Sequence, residues 1–298
     1  MNPTTNTPRR VNRRTTNAEP DRSQLPRVHF TPPYLLTPMN PITVRLIGAG
    51  GTGSQMLTGL VRLHSALRAL DHPGLVVQLW DDDTVSEANL GRQLFAPGEI
   101  GLNKAVALIN RVNRFLGSNW KAVPDRFVHQ PETPFVGSVT NLTITCVDSL
   151  DARRHVASYF KDMLGDTANQ YSQSIDGPRR AYYWLDSGNE LCTGQVILAT
   201  VGKHAQRKTQ LFNPVASLPN LMQAYAKTLA GAEEYTGSGL EGPSCSVADA
   251  LSRQDLFINS TLADMACSLI WSLLRDGQTR HRGFFLNLGA FRSQPLMV

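Results

Sequence analysis

Thr43–Ser54 reads T-V-R-L-I-G-A-G-G-T-G-S, and the rest of the chain is organised around this stretch. The apolar run Val44–Ile47, bounded by glycines, reads as a buried parallel strand. Gly48, Gly50 and Gly53 have the G-x-G-x-x-G spacing, with Gly51 added and Ser54 following. Glycines suit such a turn because its dihedrals are unusual and the backbone must approach a phosphate closely. A helix opening near Gly53 would aim free N–H groups and its positive dipole end at that phosphate. The G-x-x-x-x-G-K-[ST] loop is excluded, since Ser54 follows Gly53 with no lysine between them.

A glycine turn alone fits a dehydrogenase as well as any other nucleotide site, with a purely structural turn as the lesser alternative. The residues downstream decide the matter. Leu75–Trp80 is a second apolar strand, and Asp81 at its end stands where an acidic residue grips a ribose hydroxyl. Asn89, Arg92, Gln93 and Lys104 follow in close succession. Two cations there are superfluous for a nicotinamide site, whereas a triphosphate under attack needs them. Lys104 falls in the first turn of an amphipathic helix over 103–116, an electrostatically poor place for a cation unless it serves a ligand.

These residues carry a resemblance. G-x-G-G-x-G-S, then D-x-D-x-V-x-x-x-N-L-x-R-Q, then the lysine, resemble the ThiF/MoeB/ubiquitin-activating adenylyltransferase superfamily. T-C-V-D-S-L-D-A-R-R around Asp148 and D-S-G-N at 186–189 with Gln195 match further segments, so the likeness runs from Thr43 to Leu198. G-P-S-C-S-V-A-D-A-L-S-R-Q-D-L-F-I-N-S-T and R-G-F-F-L-N-L are similar to the ThiF-family protein of the bacterial PRTRC gene cassette. The resemblance implies a Rossmann-like α/β fold, its mainly parallel sheet continued by antiparallel strands with helices on both faces. It implies ATP-dependent adenylation of the C-terminal carboxylate of a small ubiquitin-like or sulfur-carrier-like protein, by a homodimer. Gly48, Gly50, Gly51, Gly53, Ser54, Asp81, Asp83 and Asn89 would bind the nucleotide. Arg92, Gln93 and Lys104 would neutralise its phosphates, and Asp148 would hold Mg²⁺. Adenylation of a small molecule, peptide or tRNA nucleoside, or an inactive carrier-binding scaffold, are the other readings.

Composition bounds the alternatives. Of 298 residues, 41% are hydrophobic and 18% charged, as in an ordinary globular protein able to bury a sizeable core. No long apolar run and no secretory h-region occur, which leaves the cytoplasm as the expected location and no membrane partner. The net charge is +5, and residues 1–40 hold six arginines against Glu19 and Asp21. The remaining body is nearly neutral and gives no support for a nucleic-acid-binding role, leaving any polyanion contact to the tail. The four cysteines form no C-x-x-C pair, so neither a disulfide framework nor a structural zinc is expected.

Three segments complete the reading: a disordered basic tail (1–40), an adenylation core (41–200) and a C-terminal part of the same domain (201–298). The tail reads as a solvated segment or as an arm reaching a partner subunit. Strands are expected at Trp120–Val123, Leu142–Val147, Ala181–Leu185, Gln195–Thr200 and Gly283–Leu288, the third and fourth joined around the D-S-G-N turn. Helices are expected over Asp151–Leu164 and Leu256–Leu274, and the last ten residues are weakly patterned. Asp148 has two readings, a metal or phosphate ligand and an N-cap. Cys245 follows a Gly-rich loop, with Ser246 and Asp249 at capping-box spacing just after it. A thiol before a helix N-terminus ionises readily, which suits thioester formation, while a small buried residue in a tight turn fits equally well.

Overall fold

The computed structural model describes residues 22–91, 93–129, 139–166, 173–225 and 254–298. Its strands and helices, in chain order, are β1 (Arg27–Phe30), α1 (Pro33–Leu36), β2 (Ile42–Ile47), α2 (Gly51–Ala69), β3 (Leu75–Trp80) and α3 (Lys104–Leu116). Then come β4 (Lys121–Val123), β5 (Leu142–Thr145), α4 (Leu150–Gly165), β6 (Tyr183–Asn189) and β7 (Thr193–Thr200). The remainder is β8 (Asn213–Pro214), α5 (Leu221–Ala224), α6 (Ile258–Asp276), β9 (Gln278–Thr279), β10 (His281–Asn287) and β11 (Arg292–Met297).

Eight strands form one sheet in the order β11-β10-β7-β6-β5-β2-β3-β4. From β4 to β6 every pairing is parallel, and from β6 onward every pairing is antiparallel. This is the α/β architecture expected from the sequence. The central strands are buried because their apolar residues occupy both faces: Ile42, Val44, Leu46 and Ile47 on β2 are all shielded. α2 places Met56, Leu57, Leu60, Leu63 and Leu67 on its inner face, where they pack against α6 as well as the sheet. Burying each of these side chains contributes about 1.5–3 kcal/mol.

Strand order reverses on either side of β2, between β3 and β5, so the parallel strand ends open onto a crevice there. Local signals set the helices that frame it. Asn103 caps α3 by accepting from the Val106 N–H, and Gly117 ends it in the left-handed region at φ 65°. Ser149 caps α4 by accepting from the Ala152 N–H. The capping role weighed for Asp148 therefore belongs to its neighbour.

Three expectations need correction. The D-S-G-N segment is not a turn: residues 186–189 lie inside β6, and the hairpin turns at Glu190–Cys192. The last residues form β11, an edge strand exposed along both faces, which is why it shows no apolar alternation. Disorder does not extend through residue 40. Val28 is fully buried and Phe30 and Leu35 nearly so, because β1 pairs with β8 on one side and β9 on the other. Those partners lie far away in sequence, so local pattern could not announce the strand. Residues 1–21 lie outside the described residues.

Candidate functional site

A cavity of about 700 Å³ opens at the ends of β2, β3 and β5 and runs toward the end of β6. Gly48, Gly50 and Gly51 form one wall of it. Gly48 has φ 95°, a conformation that favours glycine, and its N–H donates to the Trp80 carbonyl at 2.9 Å. Gly50 precedes the first turn of α2 and offers no side-chain cap, leaving that turn's N–H groups to a ligand. A Cβ added at Gly50 meets nothing within 4 Å, so the backbone faces open space.

Gly53 and Ser54 do not line the cavity, contrary to expectation. A Cβ at Gly53 would collide with the Gly48 carbonyl oxygen, so this glycine serves the seating of α2 on the strand end. Ser54 is buried; its Oγ donates to the Gly51 carbonyl at 3.0 Å and accepts from the Leu94 N–H at 3.3 Å. Both residues support the turn from behind.

Asp81, at the end of β3, does line the cavity, and it also braces the glycine turn. Its carboxylate accepts from the Ala49 N–H at 2.6 Å and from the Asp83 N–H at 3.0 Å. Burial pushes its pKa up, opposed by those N–H donors and by the Lys104 charge. Asp81, Asp82 and Asp83 bring carboxylate oxygens within 4.8 Å of one another. Lys104, the first residue of α3, is buried, and its ammonium donates to the Asp83 carboxylate at 2.8 Å. Asn103 ties this corner together by donating to the carbonyls of Asp81 and Asp83.

Asn89 and Gln93 also reach the cavity wall. The Asn89 side chain accepts from the Ser86 N–H at 2.9 Å, while the buried Gln93 has a side-chain oxygen without a partner. Asp148 is exposed on the same wall, just beyond β5. Of the two remaining sequence candidates, Arg92 and Cys245, both lie outside the described residues. Cys146 lies on the wall, but burial pushes its thiol far up, which makes it a packing side chain and no nucleophile.

With this geometry in place, comparison with known proteins is decisive at the level of family. The ThiF family matches residues 35–275. This chain belongs to the ThiF family. The selenomethionine structure of PaaA shares its fold, with a TM-score of 0.51 and 15% identity, over 86% of this chain and 64% of PaaA. E. coli MccB with AMPCPP and selenomethionine MccA gives 0.48 and 12%, over 86% of this chain and 63% of MccB. E. coli MccB with ATP gives 0.47 and 11%, over 88% of this chain and 64% of that one. This ThiF chain thus spans less than two thirds of the length of each of these structures. No curated protein matches it.

The sequence did not single out the most heavily bonded pair in this ThiF site. Arg153 of α4 donates through Nε to both oxygens of Asp186 on β6, at 3.0 and 3.1 Å. Its Nη2 reaches the Ser187 carbonyl at 3.2 Å, and Thr145 donates to Asp186 at 2.6 Å. Both side chains are nearly inaccessible, and burial raises the Asp186 pKa against the pull of the guanidinium. Both residues stood in the quoted motifs, but nothing in their spacing shows that they pair. A second bracket joins Thr52 of α2 to Asn259 of α6 at 2.8 Å and to Asn189 of β6 at 3.2 Å.

Proposed function

We propose that this protein adenylates a carboxylate: it binds ATP in the cavity and joins AMP to the C-terminal carboxylate of a small ubiquitin-like or sulfur-carrier-like protein. The observation that carries this reading is the convergence of Lys104, Asp81 and Asp148 on the cavity walled by the Gly48–Gly51 turn. In this reading the substrate carboxylate oxygen bonds to the α-phosphorus, and the bond to pyrophosphate breaks. The step asks for positioning and charge neutralisation more than for proton transfer.

Each group has a part in that chemistry. The open backbone at Gly50 and the uncapped start of α2 would meet phosphate oxygens. Asp81 has lone pairs left for a ribose hydroxyl after accepting two backbone N–H groups. Trp80 and Phe127, edge to face at 5.5 Å, supply an aromatic wall suited to a purine. Lys104, with Arg92, Asn89 and Gln93, would balance charge on the leaving pyrophosphate. The Asp148 carboxylate is a hard oxygen donor that suits Mg²⁺, which would supply further charge neutralisation when bound. Residues 41–200 act as the adenylation core and 201–298 complete the same domain; the Cys245 thiolate attacks the acyl carbon of the adenylate, forming a thioester as the acyl–phosphate bond breaks and AMP leaves.

ATP–pyrophosphate exchange tests the proposal, using small proteins encoded beside this gene, each with and without its terminal residues. Exchange that requires one intact tail supports it. Measurable ATP binding without exchange in any mixture would refute the carrier reading in favour of a small-molecule substrate or a binding module. Cys245→Ser separates the steps: exchange survives, and the thiol-sensitive carrier adduct is lost.

A further inference from the structure

We propose that a second cavity selects the substrate by charge, binding an extended peptide tail that has an acidic side chain about four positions upstream of a basic one. The inference deepens the proposed carboxylate chemistry and rests on it for the direction of the tail. The cavity, of about 350 Å³, lies on one face of β7, β10 and β11. It shares Glu190 and Gln195 with the wall of the larger cavity, so the two adjoin. A peptide whose terminal carboxylate enters the larger cavity then runs out through the smaller one.

Strand register sets the charges of this cavity apart. Thr193, Asn287 and Arg292 are cross-strand partners on β7, β10 and β11. Glu190, just past the end of β6, extends the row by donating its N–H to the Thr193 carbonyl at 2.9 Å. Glu190 and Arg292 therefore stand at opposite ends of the row, three strand spacings or about 14 Å apart along the backbone. Gln195, Phe285 and Gln294 form a parallel row on the same face. The reverse face is closed, because Leu262 of α6 crowds the position that a Cβ on Gly194 would take. The front face is open: Phe285 is 38% exposed, although Tyr225 meets its ring edge to face at 6.1 Å.

The chemistry of the row points to a peptide. An acid and a base line one cavity from opposite ends, with neutral polar side chains and an aromatic ring between them. Among the described residues, neither charge is ion-paired, with the other or with any third group. An extended chain advances about 3.4 Å per residue and repeats its facing every second residue, so side chains i and i+4 lie on one side about 14 Å apart. That separation matches the row. The amides of Gln195 and Gln294 both donate and accept, which suits the alternating N–H and C=O groups of a peptide backbone better than a bare anion. Glu190 lines both cavities and Arg292 only the smaller, so the basic side chain of the tail belongs nearer its terminal carboxylate. A tail with the opposite order sets like charges together at both ends, which rejects it.

The test is fluorescence anisotropy of the full-length protein with labelled glycine–serine decapeptides that carry a free C-terminal carboxylate. Each holds one Glu and, four residues later, one Lys, placed at successive registers, and a matched set exchanges the two. In one register the Glu-then-Lys peptide should bind about three- to tenfold more tightly than its exchanged counterpart, the yield of two exposed ion pairs. Raising the salt to about 0.5 M should shrink that difference. Glu190→Arg with Arg292→Glu should reverse it; both side chains are exposed, and an unchanged melting temperature confirms the fold. No binding of any peptide at millimolar concentration, no order preference in any register, or a preference that the double substitution fails to reverse would each overturn the proposal. Pyrophosphate exchange with the same peptides separates this inference from the reading it rests on. A reversible charge preference without exchange would uphold the tail site and count against adenylation, while exchange without any charge preference would do the opposite.

Discussion

The Lys104 ammonium lies 2.8 Å from the Asp83 carboxylate at the mouth of the cavity, with the lysine 9% and the aspartate 66% exposed. This asymmetry matters because the cation is shielded and its partner remains wet. A pair of this kind adds little to stability, since water screens the aspartate and the cation sits at the wrong end of the α3 dipole.

Lys104→Ala should therefore keep the fold while losing activity. Removing one charge-stabilising group costs about 10²–10³ in rate, while stability should change by no more than about 1 kcal/mol. Pyrophosphate exchange and a thermal melt on the same preparation check both halves. Wild-type exchange in a folded variant would remove Lys104 from the chemistry.

The glycine turn offers an internal control. Gly50 and Gly53 both belong to G-x-G-x-x-G, yet only Gly50 faces the cavity. Gly50→Ala should melt within about 1 kcal/mol of wild type and bind ATP at least about tenfold more weakly, because its Cβ intrudes only on the ligand. Gly53→Ala should destabilise the protein itself, by about 1–3 kcal/mol, because its Cβ strikes the Gly48 carbonyl. Equal effects of the two substitutions on melting would contradict this division.

The buried Arg153–Asp186 pair should behave as a structural clamp between α4 and β6. Asp186→Ala leaves the guanidinium charged in a nearly closed site, and losing one partner of a buried pair costs about 3–5 kcal/mol. Replacing both residues, Arg153→Met with Asp186→Leu, should recover much of that loss, because no charge is then stranded. Urea unfolding of the single and double variants decides it. A double variant as unstable as Asp186→Ala would show that the packing, not the charge, was the cost.

How much was legible in the sequence follows from where each signal is stored. The parallel strands and α2, α3, α4 and α6 declare themselves through local periodicity and capping, as at Asn103 and Gly117. The cavity residues Gly48, Gly50, Asp81, Lys104 and Asp148 declare themselves because strand ends in such sheets converge on one crevice. Two kinds of feature escape. β1 depends on pairings with residues 213–214 and 278–279, which no local window contains. The roles of Gly53 and Ser54 depend on which side of a turn they face, and a motif spacing carries no facing.

His204 should make the protein sensitive to acid. Its ring is buried against His29, Tyr182 and Tyr183, with centroids 5.4, 5.8 and 5.1 Å away. Burial, together with the His29 and Arg180 charges, pushes its pKa down to about 3 from 6.5. A histidine with a lowered folded pKa binds its proton more readily in the unfolded chain, so stability rises with pH across that window. The contribution is complete above the unfolded value of 6.5 and erodes as pH falls toward the folded value. Between pH 7 and pH 5 the erosion from this one ring is on the order of 2 kcal/mol. His29, also lowered by burial, adds to it in the same direction. Urea midpoints at the two pH values should therefore separate more for wild type than for His204→Gln, which has no proton to take up. If the variant lost as much stability as wild type over that interval, the acid sensitivity would have to lie in other groups.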